Sequence, residues 1–272
     1  MKTHAPTEAT ARERALELLW GDTRRGSRGP ERGLTLERIV AVAIEVAQEE
    51  GLAAMSMRRV ASRLGIGTAS LYTYLPGRAE LEALMLDAVI TGSALPHERP
   101  GDWRAKLAAW ARDDWESVLR HPWVLQLHDA ERVPGPNMLR WLDSALRVFD
   151  GTALTEPEKL AAIESVDAYV RGLARLRMDR AAGAAGSRAE RGAPEGVPED
   201  TSTRERDDAL VRLVDFDRFP ALQRALAQGA VPYAADRFDF GLQRLLDGIE
   251  RLVDTRGLAA GAPAAGGERR PD

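Results

Sequence analysis

Met57-Arg-Arg-Val-Ala-Ser-Arg-Leu-Gly-Ile-Gly-Thr-Ala-Ser-Leu-Tyr-Thr-Tyr-Leu-Pro-Gly-Arg78 reads as two short helices around a tight turn. Ser56, just before it, is a candidate N-cap, because a serine hydroxyl accepts from a free N–H of the first helical turn. Val60, Ala61 and Leu64 recur at helical spacing and form the buried face. Gly65 falls where the first helix must end in a left-handed residue, which glycine tolerates at little cost. Ile66 then points inward, Gly67 or Thr68 opens the second helix, and Leu71 anchors it. Thr68, Ala69, Ser70, Tyr72, Thr73 and Tyr74 are left facing outward. A plain helical hairpin would share this outline. An outward face so short-chained and uncharged nevertheless suits base edges better than water, the pattern of a helix-turn-helix DNA reader.

The flanks fit the same reading. Thr35 is a candidate cap for a helix carrying Leu36, Ile39, Val40, Ala43, Ile44 and Ala47 on one side, stopped by Gly51. A further helix begins after Pro76-Gly77-Arg78 and turns Leu81, Leu84, Met85, Ala88 and Val89 inward. Residues 34–78 thus make a compact three-helix unit with its own small core.

Gly51-Leu-x-x-Met-Ser-Met-Arg-Arg-Val-Ala, Leu64-Gly-Ile-Gly and Leu71-Tyr-Thr-Tyr-Leu together resemble the DNA-binding domain of the TetR family of bacterial repressors. The resemblance implies an all-α chain, with the helix-turn-helix domain followed by a larger helical ligand-binding and dimerisation domain. It implies DNA contacts from Arg58, Arg59, Gly67, Thr68, Ala69, Ser70, Tyr72, Thr73, Tyr74 and Arg78. Two positions depart from the usual pattern. Leu75 stands where many members have Phe, a change in core packing; Arg78 stands where Lys is usual, and either cation can meet a phosphate.

The chain carries a net charge of −4, so its overall charge does not announce a nucleic-acid partner. The distribution does: residues 22–78 hold nine arginines against six acidic residues, leaving an acidic remainder. Asp22 to Gly33, rich in Gly and Arg, reads as an arm. Its Arg28 and Arg32 are candidates for a minor groove or for phosphates, with a solvated linker as the equal alternative. Residues 1–33 are therefore an N-terminal extension, with a short helix at Ala11–Trp20 of no assigned role. There are no cysteines, which excludes disulfides and thiolate metal sites. Neither a membrane-length apolar run nor a signal-type start is present, so a cytoplasmic protein without membrane contact is expected.

Residues 79–256 read as helices separated by polar breaks. Asp102 caps one that runs to about Arg120, Pro136–Phe149 forms another, and Thr155-Glu-Pro-Glu158 is a capping box opening a long one. Residues 183–202 and 257–272, poor in large apolar residues, are expected to be a flexible loop and a disordered tail. The last helix carries Phe238, Leu242, Leu245, Leu246, Ile249, Leu252 and Val253 as one apolar stripe. Such a stripe serves a subunit core or a partner. Its resemblance to the final helix of tetracycline-repressor-like domains implies dimerisation through this helix and Glu158–Arg177, placing Ile163, Val170, Phe238, Leu242, Leu245 and Ile249 at the interface.

Most of the six tryptophans fall between residues 100 and 145. With a few polar handles they suit an apolar ligand pocket, although any single Trp is as well explained as core. The candidate lining is Leu107, Trp110, Trp123, His128, Met138, Trp141, Leu142 and Tyr169. Enzymatic motifs are missing: no phosphate loop, no metal-protease pair, and four scattered histidines, so no catalytic residue, metal or cofactor is expected. The reading is a homodimeric, operator-binding repressor released by a small apolar or amphipathic effector. Control of the same fold by a protein partner is the alternative, and a helical enzyme a remote one.

Overall fold

The computed structural model describes residues 10–21, 34–90, 94–127, 133–190, 215–230 and 237–261. Among them are ten α-helices and no strand: α1 Ala11–Trp20, α2 Leu36–Glu50, α3 Met57–Leu64, α4 Thr68–Tyr72, α5 Arg78–Val89, α6 Trp103–Arg120, α7 Pro136–Arg147, α8 Glu156–Glu190, α9 Pro220–Ala227 and α10 Phe238–Gly261. The arm with Arg28 and Arg32, His128, and the stretches 191–202 and 262–272 lie outside the described residues.

Local chemistry sets the helix ends. The hydroxyls of Thr35 and Ser56 accept from the N–H groups of Arg38 and Arg59, both at 3.2 Å, and the Asp102 carboxylate accepts from Ala105 N at 2.8 Å. Gly65 closes α3 at φ 72°, ψ 25°, the left-handed cap its position called for. At Thr155, the backbone N–H and the hydroxyl both donate to the Glu158 carboxylate, fixing the start of α8.

Two large cores organise the described residues. The head core gathers Ile39, Val46, Met55, Val60, Leu71, Leu75, Leu81 and Met85 from α2 to α5. The body core gathers Leu107, Ile163, Val166, Val170, Leu242 and Leu246 from α6, α8 and α10, with Phe149 from the turn after α7. Burying one such side chain is worth about 1.5–3 kcal/mol, so each core can hold its helices together.

Two expectations about chain order need correction. Gly183–Glu190, expected as loop, continues α8, and Gly257–Gly261, expected as tail, continues α10. Alanines surround the glycines in both stretches, and extending an existing helix avoids the cost of nucleating a new one. Composition therefore understated both helices.

Candidate nucleic-acid interface and ligand cavity

Gly67 starts α4 and Leu71 pins it into the head core at 0% exposure, which fixes what the rest of the short helix presents. Ala69, Ser70, Tyr72 and Thr73 are exposed and Thr68 is half-buried, with Tyr72 the most prominent at 51%. The Thr73 hydroxyl donates to Ser70 O at 2.6 Å, closing the turn behind the helix. Tyr74 departs from the expected outward set, because its ring lies half-buried against the head core.

The arginines divide. Arg58 stands exposed on α3. Arg59 instead grips Glu50 of α2, with Nη2 at 2.6 Å from Oε1 and Nε at 3.0 Å from both oxygens. This hydrogen bond holds the Glu50 carboxyl below its ordinary range and raises the Arg59 guanidinium above its own. Arg63 joins the network through Glu49 and Glu50. A phosphate would thus have to displace Glu50 to take Arg59. Arg78 is engaged in the same way, donating to Leu52 O at 3.0 Å and to Glu82 at 2.7 Å. In the free protein it ties α5 to the loop before α3.

Among the described residues, three prominent contacts join head to body. Trp123, expected in the ligand pocket, is buried with Val124 in the head core, so the 3-10 turn Pro122–Gln126 plugs the body into the head. Asp87 near the end of α5 accepts from Met138 N at 2.9 Å and Asn137 N at 3.3 Å, capping α7 from a different helix. Gly135 permits this, since a Cβ there would stand 2.3 Å from the Asp87 carboxyl carbon. The third contact is α1. It lies along α5, its Arg14 donates to buried Glu80 at 2.7 Å, and its Trp20 indole donates to Pro134 O at 2.9 Å, just ahead of α7.

Below the joint lies a cavity of about 320 Å³ between α5, α6, α7 and α8. Trp110, Met138, Trp141 and Leu142 line it as anticipated, the two indoles with ring centroids 5.0 Å apart and tilted by 48°. Leu107 and Tyr169 do not line it. Leu107 points into the body core, and Tyr169 reaches across to α10, where its hydroxyl donates to Phe238 O at 2.9 Å. Burial, with Asp239 nearby, pushes that hydroxyl above its ordinary range, so it remains a donor. Gly241 makes room for it, because a Cβ there would meet the Tyr169 oxygen at 2.3 Å.

Sequence reading missed the polar lining: Asp87, Asp113, Asp114, Glu164, Asp167 and Arg171. Asp167 and Arg171, one turn apart on α8, look in sequence like an ordinary surface pair. A cue was available in Asp113-Asp114, which sit mid-helix between Trp110 and Val118, on a stripe that otherwise turns inward.

The expected interface residues also need correction. Ile163, Val170, Phe238, Leu242 and Ile249 are buried inside the subunit, where α8 and α10 pack on each other and on α6, and Leu245 is half-buried against the same core. The helical stripe on α10 serves the subunit first. What α8 and α10 leave outward is a second, smaller-residue face. It carries Ser165, Ala168, Gly172 and Leu176 on α8, and Gly248, Leu252 and Thr255 on α10. A Cβ at Gly172 or Gly248 would meet nothing within 4 Å, and Leu176 is 50% exposed.

Among the described residues no helix is long and apolar enough to cross a membrane. Residues 39–83 match the family of bacterial regulatory proteins called tetR, and residues 95–253 match the tetracyclin repressor-like C-terminal domain. The chain is 41% identical over 244 residues to the HTH-type transcriptional repressor DrrR1 of Streptomyces coeruleorubidus, covering 89% of this chain and 87% of that one. It is 26% identical over 260 residues to the HTH-type transcriptional repressor Rv1353c of Mycobacterium tuberculosis, covering 92% and 91%. The crystal structure of the Streptomyces coelicolor TetR family protein ActR, in complex with (S)-DNPA, aligns with a TM-score of 0.61 at 25% identity, over 80% of this chain and 98% of that one. These relatives are regulators, which sets the enzymatic alternative aside. The matches over both halves and the 41% identity to a repressor over most of both chains have one meaning: the chain belongs to the TetR family of bacterial DNA-binding transcriptional repressors.

Proposed function

We propose that this repressor works as a homodimer released from its operator by a small organic ligand held between α5, α6, α7 and α8. The observation that carries the reading is the placement of the cavity. Met138 and Asp87 line it, and the same two residues form the hydrogen bond joining α7 to α5. A ligand that shifts α7 therefore acts on α5, and α5 is part of the head core. The ligand changes operator affinity only by as much as it prefers one head spacing to the other. The ActR structure with (S)-DNPA offers a precedent within the fold for occupancy of such a protein by a small molecule.

For the DNA contact, α4 enters the major groove with Thr68, Ala69, Ser70, Tyr72 and Thr73 forward, and exposed Arg58 meets phosphate. Two copies pair through the outer faces of α8 and α10, where Gly172 and Gly248 let backbones approach. Their symmetry sets half-sites about 34–36 Å apart. Such a protein acts in the cytoplasm, where its operator is.

The reading is tested with duplexes selected from a random library by the full-length protein. Fluorescence anisotropy on the selected site should show Tyr72→Ala and Thr73→Ala each weakening binding by about 1–3 kcal/mol per half-site, with the dimer intact. Unchanged affinity in both variants would remove α4 as the reading helix.

A further inference from the structure

The tryptophan that ends α1 stands where packing alone would not put it. Trp20 is 52% exposed, yet its indole N–H donates at 2.9 Å to Pro134 O, 114 residues away along the chain. A large aromatic side chain contributes most where its whole area leaves water. Trp20 leaves half of its surface in water, and the contact that fixes it is a hydrogen bond to the chain just ahead of α7.

The rest of α1 is fastened to the other region. Thr10 and Glu13 close a capping box at its start. Ala15 is buried, Leu18 and Leu19 pack against the head core, and Arg14 donates to Glu80, 2% exposed in the first turn of α5. One end of the helix is thus held by the head and the other by the body. Between these anchors runs α5, which itself meets the body at Asp87. Val133, the neighbour of Pro134, lines the cavity, so the body anchor belongs to a stretch of chain on the cavity wall.

Such an element has two states open to it. A helix of ten residues is marginal in water by itself, so α1 keeps its shape through what it lies on. Ala15 is its one fully buried residue, against six in α2, so its hold is shallow. The bond at Trp20 is equally easy to give up, because an exposed donor exchanges a carbonyl for water at little net cost.

We infer that α1 is a strap across the joint: latched at Trp20 it holds the head at one angle to the body, and unlatched it lets α5 swing. The strap acts in the protein without ligand, whether or not the cavity takes one.

The chain has no cysteine, so spin labels can be placed singly. Glu45→Cys on α2 and Glu116→Cys on α6, both at exposed positions, carry one label each. Labelled chain is diluted into an excess of unlabelled full-length chain, so that each distance is read within one subunit. Double electron–electron resonance should give one narrow head-to-body distance with Trp20 in place. Trp20→Phe, which keeps a ring and removes the donor, should widen that distribution about twofold, and removal of residues 1–20 by at least as much. In Trp20→Phe the amides of α1 should exchange with deuterium about tenfold faster, while those of Val42–Ala47 in α2 keep their rate. Faster exchange in α2 as well would make the loss one of overall stability and overturn the latch. Trp20→Phe decides the matter even where the deletion does not fold: an unchanged width in it overturns the strap and leaves α1 as a cover for the head core.

Discussion

The head encloses Val60, Leu71, Leu75 and Met85 completely, whereas the body sets Trp110, Trp141, Met138 and Leu142 around open space. Both regions are helical and draw on similar side chains, so the difference is one of geometry. Short helices crossing at a tight turn converge on one point and leave no room. Long helices such as α6 and α8 pack on each other along one side, and with α5 and α7 their large residues line the space left between them. A filled region can hold a fixed surface, and a hollow one can change when something enters. The division of labour follows from packing.

The largest test separates the two regions by their role in pairing. A charge at Leu252, 36% exposed on the outer face of α10, should cost the subunit little and break the dimer, since a buried unpaired charge is worth several kcal/mol. Leu252→Glu is expected to sediment as a folded monomer. Its operator affinity should fall by about 10²–10⁴-fold, because each head then binds without the effective concentration its twin supplies. Leu242→Glu, by contrast, places the charge at 0% exposure in the body core and should unfold the subunit. A Leu252→Glu dimer with normal operator binding would move the subunit contact to another face.

How much of this was legible in sequence also divides between the regions. In the head, the caps at Thr35 and Ser56, the left-handed Gly65 and the inward Leu71 follow from local rules, and the reading surface is what remains. Tyr74, Arg59 and Arg78 escaped, each because its partner lies on another element: the head core, Glu50 and Leu52. In the body, periodicity correctly marks Leu107, Trp110, Ile163 and Leu242 as leaving water. It cannot say whether an inward residue meets another residue or a hole, and so Leu107 and Tyr169 were expected beside Trp110. Nor can it rank two faces of one helix: the stronger stripe of α10 went to the subunit core, and the weaker small-residue face was left outward.

The second test concerns filling. Val60→Phe inserts a ring where no space exists and should cost about 1–3 kcal/mol, lowering the melting temperature and with it operator binding. Leu142→Phe adds similar bulk to a wall of the cavity, where the ring has room to turn inward. Its melting temperature should match or exceed that of the parent. Equal losses of stability in both variants would mean that the body has no more slack than the head.

The smallest effect lies at the joint between the two regions, where Asp87 of α5 caps α7 and Gly135 gives it room. Asp87→Ala removes an acceptor from two backbone N–H groups and should cost about 0.5–2 kcal/mol, in the range of an ordinary helix cap. Gly135→Ala should cost a similar amount for a different reason: its new methyl would overlap the carboxylate and push it off the N–H groups. Backbone strain does not enter, since Gly135 has φ −88°, ψ 171°, which any residue adopts. If the overlap is the whole cost, Gly135→Ala made in the Asp87→Ala background should be nearly neutral. The two changes then couple by about 0.5–2 kcal/mol in a double-mutant cycle read by urea unfolding without ligand. Additive losses would show that Gly135 and Asp87 act separately, and that α5 and α7 are joined by packing alone.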